Sequence, residues 1–182
     1  LFNYPEIDKL TADAATLAIT IPIKDEGAAI NSDAVSAILR VTDRYPYFLQ
    51  EWGFHIWNTA EKSPISKKDV DASTPGVIDH LDRNFFRVRF DRLTGLQQKY
   101  LRAMAELGAG PHKTGDISAM LGVEASTVAP VRAQLIAKGM IWSQRHGETG
   151  FSVPLFDGFM KRQMPTLQKH TPKARGNGSK AN

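Results

Sequence analysis

A chain of 182 residues with 42% apolar side chains can bury one core or two small ones. It contains no cysteine, which excludes disulfides and thiolate metal sites and fits a reducing, cytoplasmic setting. The net charge of +4 is uneven: residues 1–92 carry 11 basic and 14 acidic side chains, residues 93–163 carry 8 and 5, and residues 164–182 carry 4 and none. A polyanion would therefore meet the C-terminal half. No apolar run reaches the roughly 18–20 residues that span a bilayer, so no membrane partner is expected.

In chain order, Thr11 can cap a short helix through Thr20, with Leu17 and Ala18 inward. Gly27 and Asn31 mark a loop. Ser32 then serves as N-cap of a helix with the apolar face Val35, Ile38, Leu39 and Thr42. The stretch DRYPYFLQEWG, residues 43–53, starts another helix with Pro46 in its first turn, where the missing N–H costs nothing. Its face runs Tyr45, Leu49, Trp52 and Ile56. Phe48, Phe54 and Trp57 widen that face until burial on several sides is expected. Ser66 caps the next segment, where Val70, Thr74, Val77, Leu81, Phe85 and Val88 keep helical spacing as far as Phe90. Thr74 and Pro75 suggest a break into a short helix and a longer one.

From Leu93 the pattern changes. Leu96, Tyr100, Met104 and Leu107 make one helix, and residues 114–121 make a second. A turn at Gly122-Val123-Glu124 leads to a third, residues 125–138, with Val128, Val131, Leu135 and Ile136 inward. Residues 140–153 read as two short strands around a turn at His146-Gly147-Glu148, followed by a last helix from Leu155 to Gln163. Helix, helix, glycine turn, helix and hairpin describe a winged helix-turn-helix. The expected fold is mainly α: a helical domain at 1–92, a winged-helix domain with a small hairpin wing at 93–163, and a disordered basic tail at 164–182.

If that module binds double-stranded DNA, Ser126, Thr127 and Arg132 of the third helix would face the groove. Lys113 and the wing residues Arg145 and His146 would lie on phosphates. No Gly-rich phosphate loop occurs. Asp25 and Glu26, after the apolar run from Ile19, read as solvated loop carboxylates and not as a magnesium site. Glu51 and His55 stand four apart on one helix face, but two ligands do not make a zinc site, so no metal is expected. No nucleophile and base can be paired from neighbouring residues, and the chain alone should turn over no substrate.

The run VTDRYPYFLQEWG followed by a winged helix resembles the C-terminal half of bacterial and archaeal AAA+/STAND-type P-loop ATPases, whose helical lid carries a T-x-G-Y-P-Y-F-L-Q-like motif. Residues 85–108 look like that family's connection from lid to winged helix. LIAKGMIW and PLFDGFM look like its wing region and closing helix, so the resemblance covers about residues 1–163. It implies that Tyr45 and Pro46 face a nucleotide, with Arg40 and Arg44 as sensor candidates. Arg44 stands where the family has glycine. It also implies an ATPase core upstream of Leu1 in the same polypeptide, which would use ATP and magnesium. The chain would then be a regulatory part that senses nucleotide and binds DNA or a protein partner. A stand-alone winged-helix transcription regulator and a protein-docking adaptor are the alternatives.

Overall fold

The computed structural model describes residues 9–143 and 147–167. It is mainly helical with one three-stranded antiparallel sheet, and it divides into two compact units, Leu1–Asp91 and Arg92–Asn182. Among the described residues no helix is long and apolar enough to cross a membrane.

The first unit begins with α1, Ala12–Asp25, whose N-cap Thr11 accepts a hydrogen bond from the Ala14 N–H. This helix runs five residues beyond the expected end at Thr20, with Pro22 inside it. The carbonyl that Pro22 leaves without a helical donor belongs to Ala18, which lies on the exposed side where water can serve it. The inward face is Ala15, Ile19 and Ile23, whereas Leu17 and Ala18 point outward. Helix α2, Ser32–Thr42, is capped one residue earlier than expected, at Asn31, and buries Val35, Ile38 and Thr42. Residues around Ile30 and Ile65 form a parallel bridge, with Asn31 N–H to Ile65 carbonyl at 2.9 Å, so the loop before α2 is tied to the loop before α4.

Helix α3, Pro46–Thr59, buries Phe48, Leu49, Trp52 and Ile56. It is one-sided: Phe54 and Trp57 remain 66% and 43% exposed. Helix α4, Lys67–Leu81, starts at a capping box in which the Asp69 carboxylate accepts from the Ser66 N–H at 2.8 Å and the Ser66 hydroxyl at 2.7 Å. Thr74 does not begin a new helix, and Pro75 sits within α4. The unserved carbonyl is that of Asp71, again on the exposed face, while the Thr74 hydroxyl donates to the Val70 carbonyl at 2.7 Å. Trp52 Nε1 donates to Thr74 Oγ1 at 3.1 Å and locks α3 against α4.

The break in the helix lies further on. Asp82–Phe86 is a π-helical turn, followed by the short α5, Arg87–Phe90. A π turn adds a residue and rotates every later side chain about the helix axis, so the buried series Val70, Val77, Leu81 continues at Phe86 and Phe90. Val88, expected inward by uninterrupted spacing, is 48% exposed. Phe85 is half-buried, stacked on Tyr47 at 4.9 Å, and the Arg89 guanidinium lies over its ring at 3.7 Å.

In the second unit, α6, Gly95–Leu107, opens with a capping box between Thr94 and Gln97 and buries Tyr100, Leu101 and Met104. Then come β1, His112–Lys113, and α7, Thr114–Leu121. Gly122 takes φ 71°, and the Val123 N–H reaches back to the Ser118 carbonyl at 3.0 Å, which closes α7 and turns the chain into α8, Ala125–Ala137. Val128, Val131 and Leu135 of α8 are buried, but Ile136 is exposed. Strands β2, Ile141–Trp142, and β3, Glu148–Phe151, complete a sheet of order β1-β3-β2, with His112 opposite Thr149 and Trp142 opposite Gly150. A Cβ at Gly150 would lie 3.0 Å from the Trp142 indole, so this glycine admits the ring. Helix α9, Phe156–Gln163, packs on α6, where buried Arg102 donates to the Met164 carbonyl at 2.6 Å, the Pro165 carbonyl at 3.3 Å and the Glu106 carboxylate at 2.7 Å. Beyond residue 167 the expected tail lies outside the described residues.

Candidate functional site

The turn between α2 and α3 is built by Thr42. Its buried hydroxyl donates to the Ile38 carbonyl at 2.8 Å and accepts from the Arg44 N–H at 3.2 Å, and its carbonyl accepts from the Tyr45 N–H at 3.0 Å. The chain is thereby bent through two consecutive left-handed residues, Asp43 at φ 50° and Arg44 at φ 59°. Left-handed backbone costs an ordinary residue about 1–2 kcal/mol, so two in a row need a surrounding that enforces them. Part of that surrounding is the Leu10 N–H, which donates to the Arg44 carbonyl at 3.1 Å, and the Lys9–Asp43 ion pair. Tyr45 then returns to extended backbone as N-cap, with Pro46 at the first position of α3.

Among the sequence-chosen residues of this unit, Tyr45 packs its ring 4.9 Å from Phe48. Pro46 lines a groove of about 700 Å³ between α1 and α3. Its other walls include Leu10, Ile23, Leu49, Phe54 and Trp57, with Glu26 and Gln50 as polar lining. Among the described residues, no basic side chain lines this groove. Arg44 lies outside that lining, and its side chain meets no hydrogen-bond or ionic partner among the described residues. Arg40, in the last turn of α2, is exposed, where its charge complements the helix C-terminus. The structure therefore places Arg44, Tyr45 and Pro46 on one tight turn and Arg40 one helical turn before it.

In the second unit, Ser126 and Thr127 occupy the exposed first turn of α8, and Lys113 is exposed on β1. Arg132 is turned onto the hairpin, its Nη2 donating to Ser143 Oγ at 2.6 Å and weakly to the Glu148 carbonyl at 3.5 Å. Lys138 is also engaged, with its Nζ 2.9 Å from the Arg92 carbonyl and 2.8 Å from Gln97 Oε1. Arg132 of α8 and Lys138, its C-cap, are thus both held within the unit, and the helix offers a small, neutral outer face: Ser126, Thr127, Ala129, Pro130 and Ala133. Arg145 and His146 lie outside the described residues.

Sequence reasoning did not connect His80 with Glu51 and His55. The two helices α3 and α4 bring one donor atom of each within 4.8 Å of the others, the one such group among the described residues. Twenty-five positions separate His55 from His80, and no spacing rule links them.

Residues 83–160, less than half of the chain, match a family model described as a domain of unknown function (DUF8462). No curated protein matches the sequence. Among solved structures the chain is similar to RuvB of Thermotoga maritima, described as a Holliday junction branch migration motor, at 18% identity and a TM-score of 0.38 over 79% of this chain and 47% of that one. Two variants of the same protein give TM-scores of 0.39 at 18% identity, over 79% of this chain and 47% or 46% of theirs. The chain spans less than half the length of these structures. A likeness this loose does not by itself fix a shared fold or activity.

Proposed function

We propose that this chain is the lid and winged-helix portion of a P-loop ATPase, in which the Arg44-Tyr45-Pro46 turn faces the nucleotide. The observation that carries the reading is local. Arg44, at the position where the lid motif has glycine, takes the left-handed backbone that glycine would supply, and Pro46 follows at the first helical position. The turn is thus glycine-shaped although its residue is arginine. That leaves a guanidinium without a partner among the described residues beside the place a base or phosphate would occupy. On this reading ATP and magnesium are held by a core elsewhere in the same polypeptide, because residues 1–182 contain no phosphate-cradling loop. The chain itself orients and senses nucleotide and catalyses nothing.

The second unit is a winged helix in this proposal: α7, the Gly122 turn and α8 form the helix-turn-helix, and β2 and β3 form the wing. Its contact with duplex DNA would rest on Lys113 and the hydroxyls of Ser126 and Thr127, since Arg132 and Lys138 are spent inside the unit. That internal engagement favours a second reading, in which the neutral face of α8 docks a protein. Fluorescence anisotropy with a short duplex across a salt series separates the two. Lys113→Ala is expected to reduce the slope of log K against log salt by about 1 if Lys113 holds one phosphate. An absence of binding at low salt favours protein docking.

The reading frame upstream of Leu1 tests the ATPase proposal. It is expected to encode a strand ending in a GxxxxGK[ST] loop, and a frame without one overturns the proposal.

A further inference from the structure

We infer that Glu51, His55 and His80 form a site for a divalent transition-metal ion, such as zinc, that clasps α3 to α4. Glu51 and His55 are one turn apart on α3, and His80 reaches them from the last turn of α4, its Nε2 3.6 Å from Glu51 Oε2. The imidazole rings of His55 and His80 lie 5.4 Å apart. His55 Nε2 is buried and has no hydrogen-bond partner among the described residues. Orphaned buried ring nitrogens are costly, and a metal ion is one of the few partners that would satisfy it.

The surroundings match what ligands of this kind need. Asn84 contacts His80 Nδ1 at 3.2 Å. With the amide oriented oxygen-inward, Nδ1–H donates to it and the Nε2 lone pair is left for the metal. The Tyr47 hydroxyl lies near the Glu51 carboxylate, the third ligand. Two imidazoles and one carboxylate suit zinc and its neighbours better than magnesium or calcium, which prefer all-oxygen sets. Tetrahedral bonds of about 2.0–2.2 Å place donors roughly 3.3–3.6 Å apart, so donors now within 4.8 Å of one another must close by up to about 1.5 Å. Rotation of the partly exposed His80 and of Glu51 supplies that movement. With His80 42% exposed, the fourth position opens to solvent and would be filled by water. The set is distinct from the nucleotide-facing turn and does not depend on that reading.

The competing account is a simple His80–Glu51 ion pair, which would bind no metal. Isothermal titration of the full chain with zinc, paired with the visible spectrum of the cobalt-loaded form, decides between them. The expected result is one ion per chain with a dissociation constant in the micromolar range or tighter, and a cobalt spectrum typical of four or five coordination. His80→Ala and Glu51→Gln are expected to weaken binding at least tenfold while leaving the far-ultraviolet dichroism unchanged. His112→Ala, in the other unit, should bind as the parent does. The inference is overturned if the parent takes up no zinc in that range, or if His80→Ala and Glu51→Gln bind as tightly as the parent.

Discussion

Each unit contains a tight turn that leads into a helix through left-handed backbone, and the two are solved differently. At Gly122, φ 71°, the residue has no Cβ and the turn carries no steric penalty. At Asp43 and Arg44, φ 50° and 59°, two ordinary side chains accept that penalty, held by the Thr42 hydroxyl and the Leu10 N–H. Strain maintained by its neighbours is a mark of a place where side chains serve something other than stability. The same contrast extends outward. In the second unit Arg102, Arg132 and Lys138 are held by the segment after α9, the hairpin and Gln97, whereas in the first Arg40 and Arg44 have no partner among the described residues and an exposed apolar groove lies beside Pro46.

Substitutions at the two turns should therefore have opposite signs. Gly122→Val, which forces a β-branched residue into left-handed backbone, is expected to cost about 2 kcal/mol in urea denaturation, and Gly122→Ala about 1 kcal/mol. A neutral Gly122→Val would show that the turn of the second unit is not conformationally demanding. Arg44→Gly is expected to gain about 0.5 kcal/mol, the relief of strain being partly offset by the greater freedom of glycine in the unfolded chain. If Arg44→Gly destabilises instead, Arg44 has a structural role that the contrast does not recognise.

The units should agree, to a smaller extent, in their response to acid. Asp69 in the first unit is held below the usual carboxylate range by the Ser66 N–H and hydroxyl, and Glu106 in the second by the Arg102 guanidinium. A depressed folded-state pKa contributes stability that is complete above the ordinary carboxylate value and is lost as pH falls through the folded one. The urea midpoint is expected to decline below about pH 4, and Asp69→Asn and Glu106→Gln should each flatten that decline. Equal acid sensitivity in parent and variants would remove these two carboxyls from the account.

Local signals in the sequence describe much of the second unit: residues 114–121, the Gly122 turn and the inward positions Val128, Val131 and Leu135 all follow from spacing and turn chemistry. Features set by tertiary context were hidden. Pro22 and Pro75 are carried inside helices because the carbonyls they orphan face solvent, which no local rule specifies. The π turn at Asp82–Phe86 replaces the expected Phe85–Val88 face with Phe86 and Phe90, since one inserted residue shifts the register of the whole segment after it. Aromatic density in α3 showed how apolar the helix is and not which side it buries, so Phe54 and Trp57 emerged exposed. The two-residue β1 is too short to leave a pattern. At the candidate sites the residue types of the nucleotide-facing turn could be read, but its consecutive left-handed residues could not. The spacing of Glu51 and His55 could be read, but not the arrival of His80 from another helix.

The nucleotide-facing role of the Arg44-Tyr45-Pro46 turn is tested most directly by photo-crosslinking the full-length polypeptide with an azido-adenine ATP analogue and mapping the labelled peptides by mass spectrometry. Labelling of the peptide that contains Arg44, Tyr45 and Pro46, competed by unmodified ATP, is the expected result. Competed labelling elsewhere in the polypeptide with none at this turn would contradict it.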